Sequence, residues 1–100
     1  MDSKVKKLYK KINNDNKEIV IFGLSHCVYC KKTLDLLKKN KISYKYYSIN
    51  NHLNLFFKIL TEVAKYFPNF QINTMHKTIP IIFYKKKFIG GFTEISKYLK

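Results

Sequence analysis

A short apolar run, Ile19-Val20-Ile21-Phe22, ends just before Cys27-Val28-Tyr29-Cys30, and a helical pattern begins at once. This succession restricts the fold more than any other feature of the chain. A brief continuous apolar run reads as a strand buried on both faces. Its end then delivers Cys27 to the start of a helix. The first-turn N–H groups there have no intrahelical partner, and the helix dipole is positive; both favour a thiolate. Cys30, one turn later, is placed to attack a mixed disulfide formed at Cys27. The same spacing also fits half of a zinc site, but zinc takes four ligands as a rule. The only other candidates of that chemistry are His26, His52 and His76, read as a loop residue, a surface residue near a helix start and a neighbour of Lys77 that is a candidate for the border of a substrate groove.

The rest of the pattern supplies the other elements. Residues 1–15 hold an amphipathic helix in which Val5, Leu8, Tyr9 and Ile12 form an i, i+3, i+4, i+7 stripe opposite lysines. Its apolar face is short and lacks Trp, so packing on the domain is expected rather than a membrane surface. The first strand is read as 18–22, the loop as 23–26, and the next helix as 28–39 with Leu34 and Leu37 inward. Residues 42–49 are rich in β-branched and aromatic side chains and form a second strand. Asn50 or Asn51 is expected to cap a helix whose apolar face includes Phe56, Phe57, Leu60, Val63 and Phe67, and Pro68 ends it. Residues 81–84 and 87–89 read as a hairpin, with lysines in its turn. Gly90-Gly91 is a pivot, and Thr93 is expected to cap a last helix bearing Ile95, Tyr98 and Leu99. The order is α-β-α-β-α-β-β-α in one domain, residues 1–100. A helix between the first two strands implies parallel pairing.

Composition adds a charge argument. The net charge of +14 would draw anions. Every basic residue other than histidine is lysine, and Lys, Asn, Ile, Phe and Tyr make up 57 of the 100 residues. These are amino acids of AT-rich codons, so coding composition accounts for much of the charge. The absence of arginine argues against specific nucleic-acid readout, where bidentate Arg dominates. No stretch has the length of a membrane span, and the first residues lack the apolar core of a signal peptide. A cytoplasmic protein is expected.

Three separated motifs then resemble those of the glutaredoxins, within the thioredoxin-like fold: Cys27-Val28-Tyr29-Cys30, Thr78-Ile79-Pro80, and Ile89-Gly90-Gly91 followed by Phe92-Thr93-Glu94. The likeness covers roughly residues 16–100, and the N-terminal helix resembles one in longer members. It implies an α/β thioredoxin-like fold with a four-stranded mixed sheet flanked by helices and an extra N-terminal helix. It also implies a glutathione-dependent thiol–disulfide oxidoreductase with Cys27 as nucleophile and Cys30 as resolving thiol. Tyr29 would shape the substrate groove and Pro80 would be cis. The backbone of Ile79 would pair with glutathione as a short added strand. Thr78, Gly91, Phe92 and Thr93 would complete the site, with backbone N–H groups at a helix start taking the γ-glutamyl carboxylate. Lys77 would meet the glycyl carboxylate as a point charge. The implied partners are glutathione and protein disulfides or glutathionylated proteins, ribonucleotide reductase being one such client; the protein is expected to be a monomer.

Two residues depart from the family pattern. Leu24 stands where many members have lysine, and Val28 where most dithiol members have proline. Non-proline sites are associated with some members that hold a [2Fe–2S] cluster between subunits. A cluster bound through Cys27 with glutathione is therefore one alternative. A thioredoxin-like carrier that does not use glutathione is the other.

Overall fold

The computed structural model describes residues 2–14, 16–50 and 52–99. Its elements are α1 (Ser3–Ile12), β1 (Ile19–Gly23), α2 (Val28–Lys39), β2 (Tyr44–Ser48), α3 (Leu53–Tyr66), a 3-10 turn (Pro68–Phe70), β3 (Ile81–Tyr84), β4 (Lys87–Gly90) and α4 (Phe92–Tyr98). The four strands lie in the order β2-β1-β3-β4. β1 pairs with β2 in parallel and with β3 antiparallel, and β3–β4 is the antiparallel hairpin. This is the mixed sheet and element order that the sequence predicts.

Strand periodicity splits the core in two. Side chains alternate across a strand, so Val20 and Phe22 join Ile81 and Phe83 on the face covered by α1 and α3. Ile19 and Ile21 join Ile82, Leu37 of α2 and Ile95 of α4 on the other face. Helices on both faces explain why all five residues of β1 are buried. Each such Ile, Val or Phe contributes about 1.5–3 kcal/mol by leaving water. The predicted stripe of α1 holds, since Val5, Leu8 and Ile12 are buried while Tyr9 stacks on Phe67 at a 4.2 Å centroid distance.

The boundaries shift where tertiary hydrogen bonds intervene. Gly23 belongs to β1 rather than to the loop, because its carbonyl accepts the N–H of Ile49. Ile42 lies outside β2; its N–H closes the end of α2 on Leu37 O, and Lys41 between them takes φ 55°. Two expected caps are corrected. Asn50 does not cap α3: its Oδ1 accepts the N–H of Ser25, and His52 holds the N-cap position without a side-chain bond. Asn51 lies outside the described residues. Thr93 sits inside α4, whose N-cap is Gly91. Tyr98 is exposed, its ring meeting Tyr84 edge-on. No helix among the described residues is long and apolar enough to cross a membrane.

Candidate active site

β1 ends beneath the start of α2, and the short loop between them is tied down. Ser25 N–H donates to Asn50 Oδ1, and Ser25 Oγ also contacts Ser48 Oγ at the end of β2. Cys27 follows as the N-cap of α2 with extended backbone, φ −138° and ψ 116°. Its Sγ accepts the N–H of Cys30 at 3.2 Å. The sulfur thus takes the place that a Ser or Asp oxygen holds in an ordinary cap. Cys27 is partly buried and Cys30 is 2% exposed, so the two thiols divide into an accessible and a covered one. Thr33, fully buried one turn on, donates its hydroxyl proton to Tyr29 O.

Below the motif the packing is close. Tyr46 of β2 donates its hydroxyl to Leu24 O at 2.6 Å. A Cβ placed on Gly23 would lie 2.5 Å from that hydroxyl oxygen and 2.7 Å from Cys30 Sγ. Burial pushes the Cys30 thiol above its ordinary range, with its bond to Cys27 adding to the shift. The backbone of Leu24 and the hydroxyl of Tyr46 pull it the other way. Burial also holds the Tyr46 phenol well above its usual range, with Cys30 adding to it.

A cavity of about 330 Å³ opens beside the motif. Tyr29 from α2 and Phe92 from α4 lean across it with ring centroids 5.8 Å apart. Thr78, Ile79 and Pro80 form one wall, and the Ile79–Pro80 peptide bond is cis, as the resemblance implies. Gly91 and Thr93 line it as well. A Cβ at Gly91 would stand 3.2 Å from Pro80 O, so the missing side chain lets the two backbones approach closely. Tyr29, Thr78, Ile79, Pro80, Gly91, Phe92 and Thr93 are therefore brought together around this cavity. Lys77 is turned elsewhere: its Nζ lies over the Phe57 ring at 5.2 Å, in a separate cleft along α3. A larger cleft of about 490 Å³ runs between α1, β2 and α3, but no residue of the cysteine motif lines it.

Two further residues belong to the cavity. His76 Nε2 lies 3.0 Å from Thr78 Oγ1, and its ring meets Phe88 edge-on at 5.4 Å. Sequence adjacency to Lys77 hinted at this placement but could not fix the side chain's direction. Glu94 accepts the N–H of Gly91 and lines the same cavity. Its only sequence signal is its position after the double glycine. His26 is exposed in the loop. Among the described residues no group of three or more His, Cys, Asp or Glu side chains is placed to hold a metal ion.

The family model for glutaredoxin matches residues 19–89. A probable glutaredoxin from Acanthamoeba polyphaga mimivirus is 36% identical over 80 residues, which is 80% of this chain and 76% of that relative. Among solved structures, the holo form of glutaredoxin C1 from Populus tremula x tremuloides aligns with a TM-score of 0.72 at 23% identity, covering 96% of this chain and 78% of that one. The glutaredoxin–glutathione complex from buckwheat aligns at 0.64 with 18% identity, covering 94% and 76%. At these identities the two structures speak for a shared fold.

Proposed function

The chain belongs to the glutaredoxin family and is a thiol–disulfide oxidoreductase, and from that premise we propose that it uses glutathione to reduce protein disulfides and glutathione mixed disulfides through Cys27. The observation that carries this reading is the combination of Cys27 Sγ, held at a helix start by the Cys30 N–H, with a cavity that Tyr29 of the same motif lines together with Ile79, Pro80 and Gly91. A thiolate at a helix start is a ready nucleophile, and a narrow cleft with backbone walls suits a small extended peptide.

The steps follow from the sulfur positions. The Cys27 thiolate attacks one sulfur of the substrate disulfide, and the other sulfur leaves with the electron pair. Cys30 then attacks Cys27 Sγ, releases the second substrate thiol and leaves a Cys27–Cys30 disulfide. A pair of glutathione thiols reduces that bond and departs as glutathione disulfide. With a glutathionylated substrate, Cys27 takes up the glutathione and a second glutathione releases it, so Cys30 is dispensable. In the cavity, the backbone of Ile79 would pair with the cysteinyl residue of glutathione. The N–H groups of Phe92 and Thr93 would receive the γ-glutamyl carboxylate, and Glu94 would face its ammonium. Lys77 would have to leave Phe57 to reach the glycyl carboxylate. Client proteins, ribonucleotide reductase among them, are those whose disulfides reach an exposed Tyr29 rim. The reaction suits a reducing compartment such as the cytoplasm.

The test is a glutathione-coupled assay with glutathione reductase and NADPH. Cys27→Ser is expected to abolish activity on both substrate types, whereas Cys30→Ser keeps deglutathionylation and loses protein-disulfide reduction. Turnover with a thioredoxin-type reductase and none with glutathione would overturn the reading.

A further inference from the structure

The resolving cysteine faces a difficulty that the dithiol reaction does not remove by itself. Cys30 must become an anion to attack the Cys27 mixed disulfide, and it must leave as an anion when the intramolecular disulfide is reduced. It is almost fully buried, and burial disfavours a thiolate. Something in the protein interior has to receive that charge.

Tyr46 is positioned for it. The residue stands on β2 opposite Ile21 of β1, on the face of the sheet that α2 covers. Its hydroxyl rises past β1 to the loop and donates to Leu24 O. The absent side chain of Gly23 leaves one small space, and both Tyr46 Oη and Cys30 Sγ border it. Any other residue at 23 would put its Cβ within 2.7 Å or less of both atoms. The other titratable group bearing on the Cys30 sulfur is Cys27, and the backbone of Leu24 meets the same sulfur from the loop.

We propose that Tyr46 serves the resolving step: its hydroxyl turns from Leu24 O to the Cys30 sulfur as negative charge develops there, during attack on Cys27 and during departure from it. In the forward step the Cys30 S–H proton passes to the departing substrate thiolate. The Cys27–substrate S–S bond breaks as the Cys27–Cys30 bond forms, and no outside oxidant or reductant is consumed. The Tyr46 proton is donated in a hydrogen bond and returns to Leu24 O when the charge is gone. This assignment rests on the dithiol reading above and goes beyond it by naming the group that makes a buried sulfur competent. A hydrogen bond to a charged group is worth enough to change a rate by about tenfold or more.

The experiment uses the reduced full chain and 5,5′-dithiobis(2-nitrobenzoate), with no glutathione present. Cys27 attack releases one chromophoric thiolate, and Cys30 attack on the resulting mixed disulfide releases the second. Tyr46→Phe is expected to leave the first phase unchanged and to slow the second by about tenfold at neutral pH. In a Cys30→Ser background, Tyr46→Phe is expected to leave glutathione-dependent deglutathionylation unchanged, which separates loss of resolution from general damage to the fold. An unaltered second phase, or equal slowing of both phases, would overturn the proposal. Because the dithiobenzoate phases need no glutathione, failure of the glutathione reading would show separately in the coupled assay.

Discussion

Glu94 reaches back along the first turn of α4 and accepts the backbone N–H of Gly91 at 2.7 Å. One carboxylate thereby caps the helix, anchors a wall of the cavity and presents negative charge beside it. Glu94→Gln retains an oxygen acceptor for Gly91 and removes the charge. Stability is expected to fall by about 0.3–1 kcal/mol, the worth of an acidic group at a helix start. The KM for glutathione is expected to rise by more than that stability loss implies, because the ligand ammonium loses its partner. Thermal melts and steady-state kinetics measure the two effects, and an unchanged KM would remove Glu94 from the binding site.

The adjacent glycines separate backbone from space. Gly91 has φ −120°, which any residue adopts, but a methyl there would press on Pro80 O at 3.2 Å, with His76 Nε2 in ordinary contact at 3.5 Å. Gly91→Ala is expected to fold normally and to raise the KM for glutathione about tenfold. Gly90 has φ +127°, and a Cβ there would meet Glu94 within 2.6 Å. Gly90→Ala is expected to lose about 1–3 kcal/mol of stability through the strained dihedral and the contact. Equal melting temperatures for the two variants would contradict this division.

Lys41 occupies the left-handed position that closes α2. Its φ is 55°, and the N–H groups of Lys41 and Ile42 return to Lys38 O and Leu37 O. Glycine favours this position and lysine does not. Lys41→Gly is expected to stabilise the protein by about 1 kcal/mol, raising Tm by about 4–8 °C in a chain this size, without changing turnover. Differential scanning calorimetry reads it directly.

The raised Cys30 thiol also fixes a pH dependence. Burial, then the bond to Cys27, holds the folded value above the ordinary one. Above about pH 8.5 the unfolded chain loses that proton first, so stability is complete below this pH and declines as pH rises through the folded value. Reduced wild-type protein is expected to lose Tm more steeply than Cys30→Ser as pH rises above about 8.5. Parallel slopes for the two proteins would show that Cys30 does not titrate as its surroundings indicate.

How far the sequence carried the fold depends on the range of the interaction. The local pattern located the α-helices and the strands, because burial of Val5, Leu8 and Ile12 or of Ile19 to Phe22 repeats along the chain, but not the 3-10 turn Pro68–Phe70. Cap identities went astray because they are settled by distant partners. Asn50 is held by Ser25, 25 residues away, and is thereby lost to α3. The cysteine motif, Pro80 and the double glycine were legible as a site by their order along the chain. His76 was legible only as a neighbour of Lys77 and a candidate for the border of the groove, and Tyr46 not at all. Tyr46 is one of eight tyrosines, and only the register of β2 against β1 shows that its hydroxyl arrives beneath Cys30.

The strand that leads to the cysteine motif bears on motion. β1 is paired on both edges and buried on both faces, which is the environment of the slowest-exchanging amides in a domain. Cys27 is suspended a few residues beyond this strand, on a loop fastened to β2 through Tyr46 and to the segment after β2 through Asn50. The Cys27 sulfur is therefore anchored to the part of the chain that opens last. Accommodation of differently shaped clients falls to the clients themselves and to the exposed rings and side chains around the cavity.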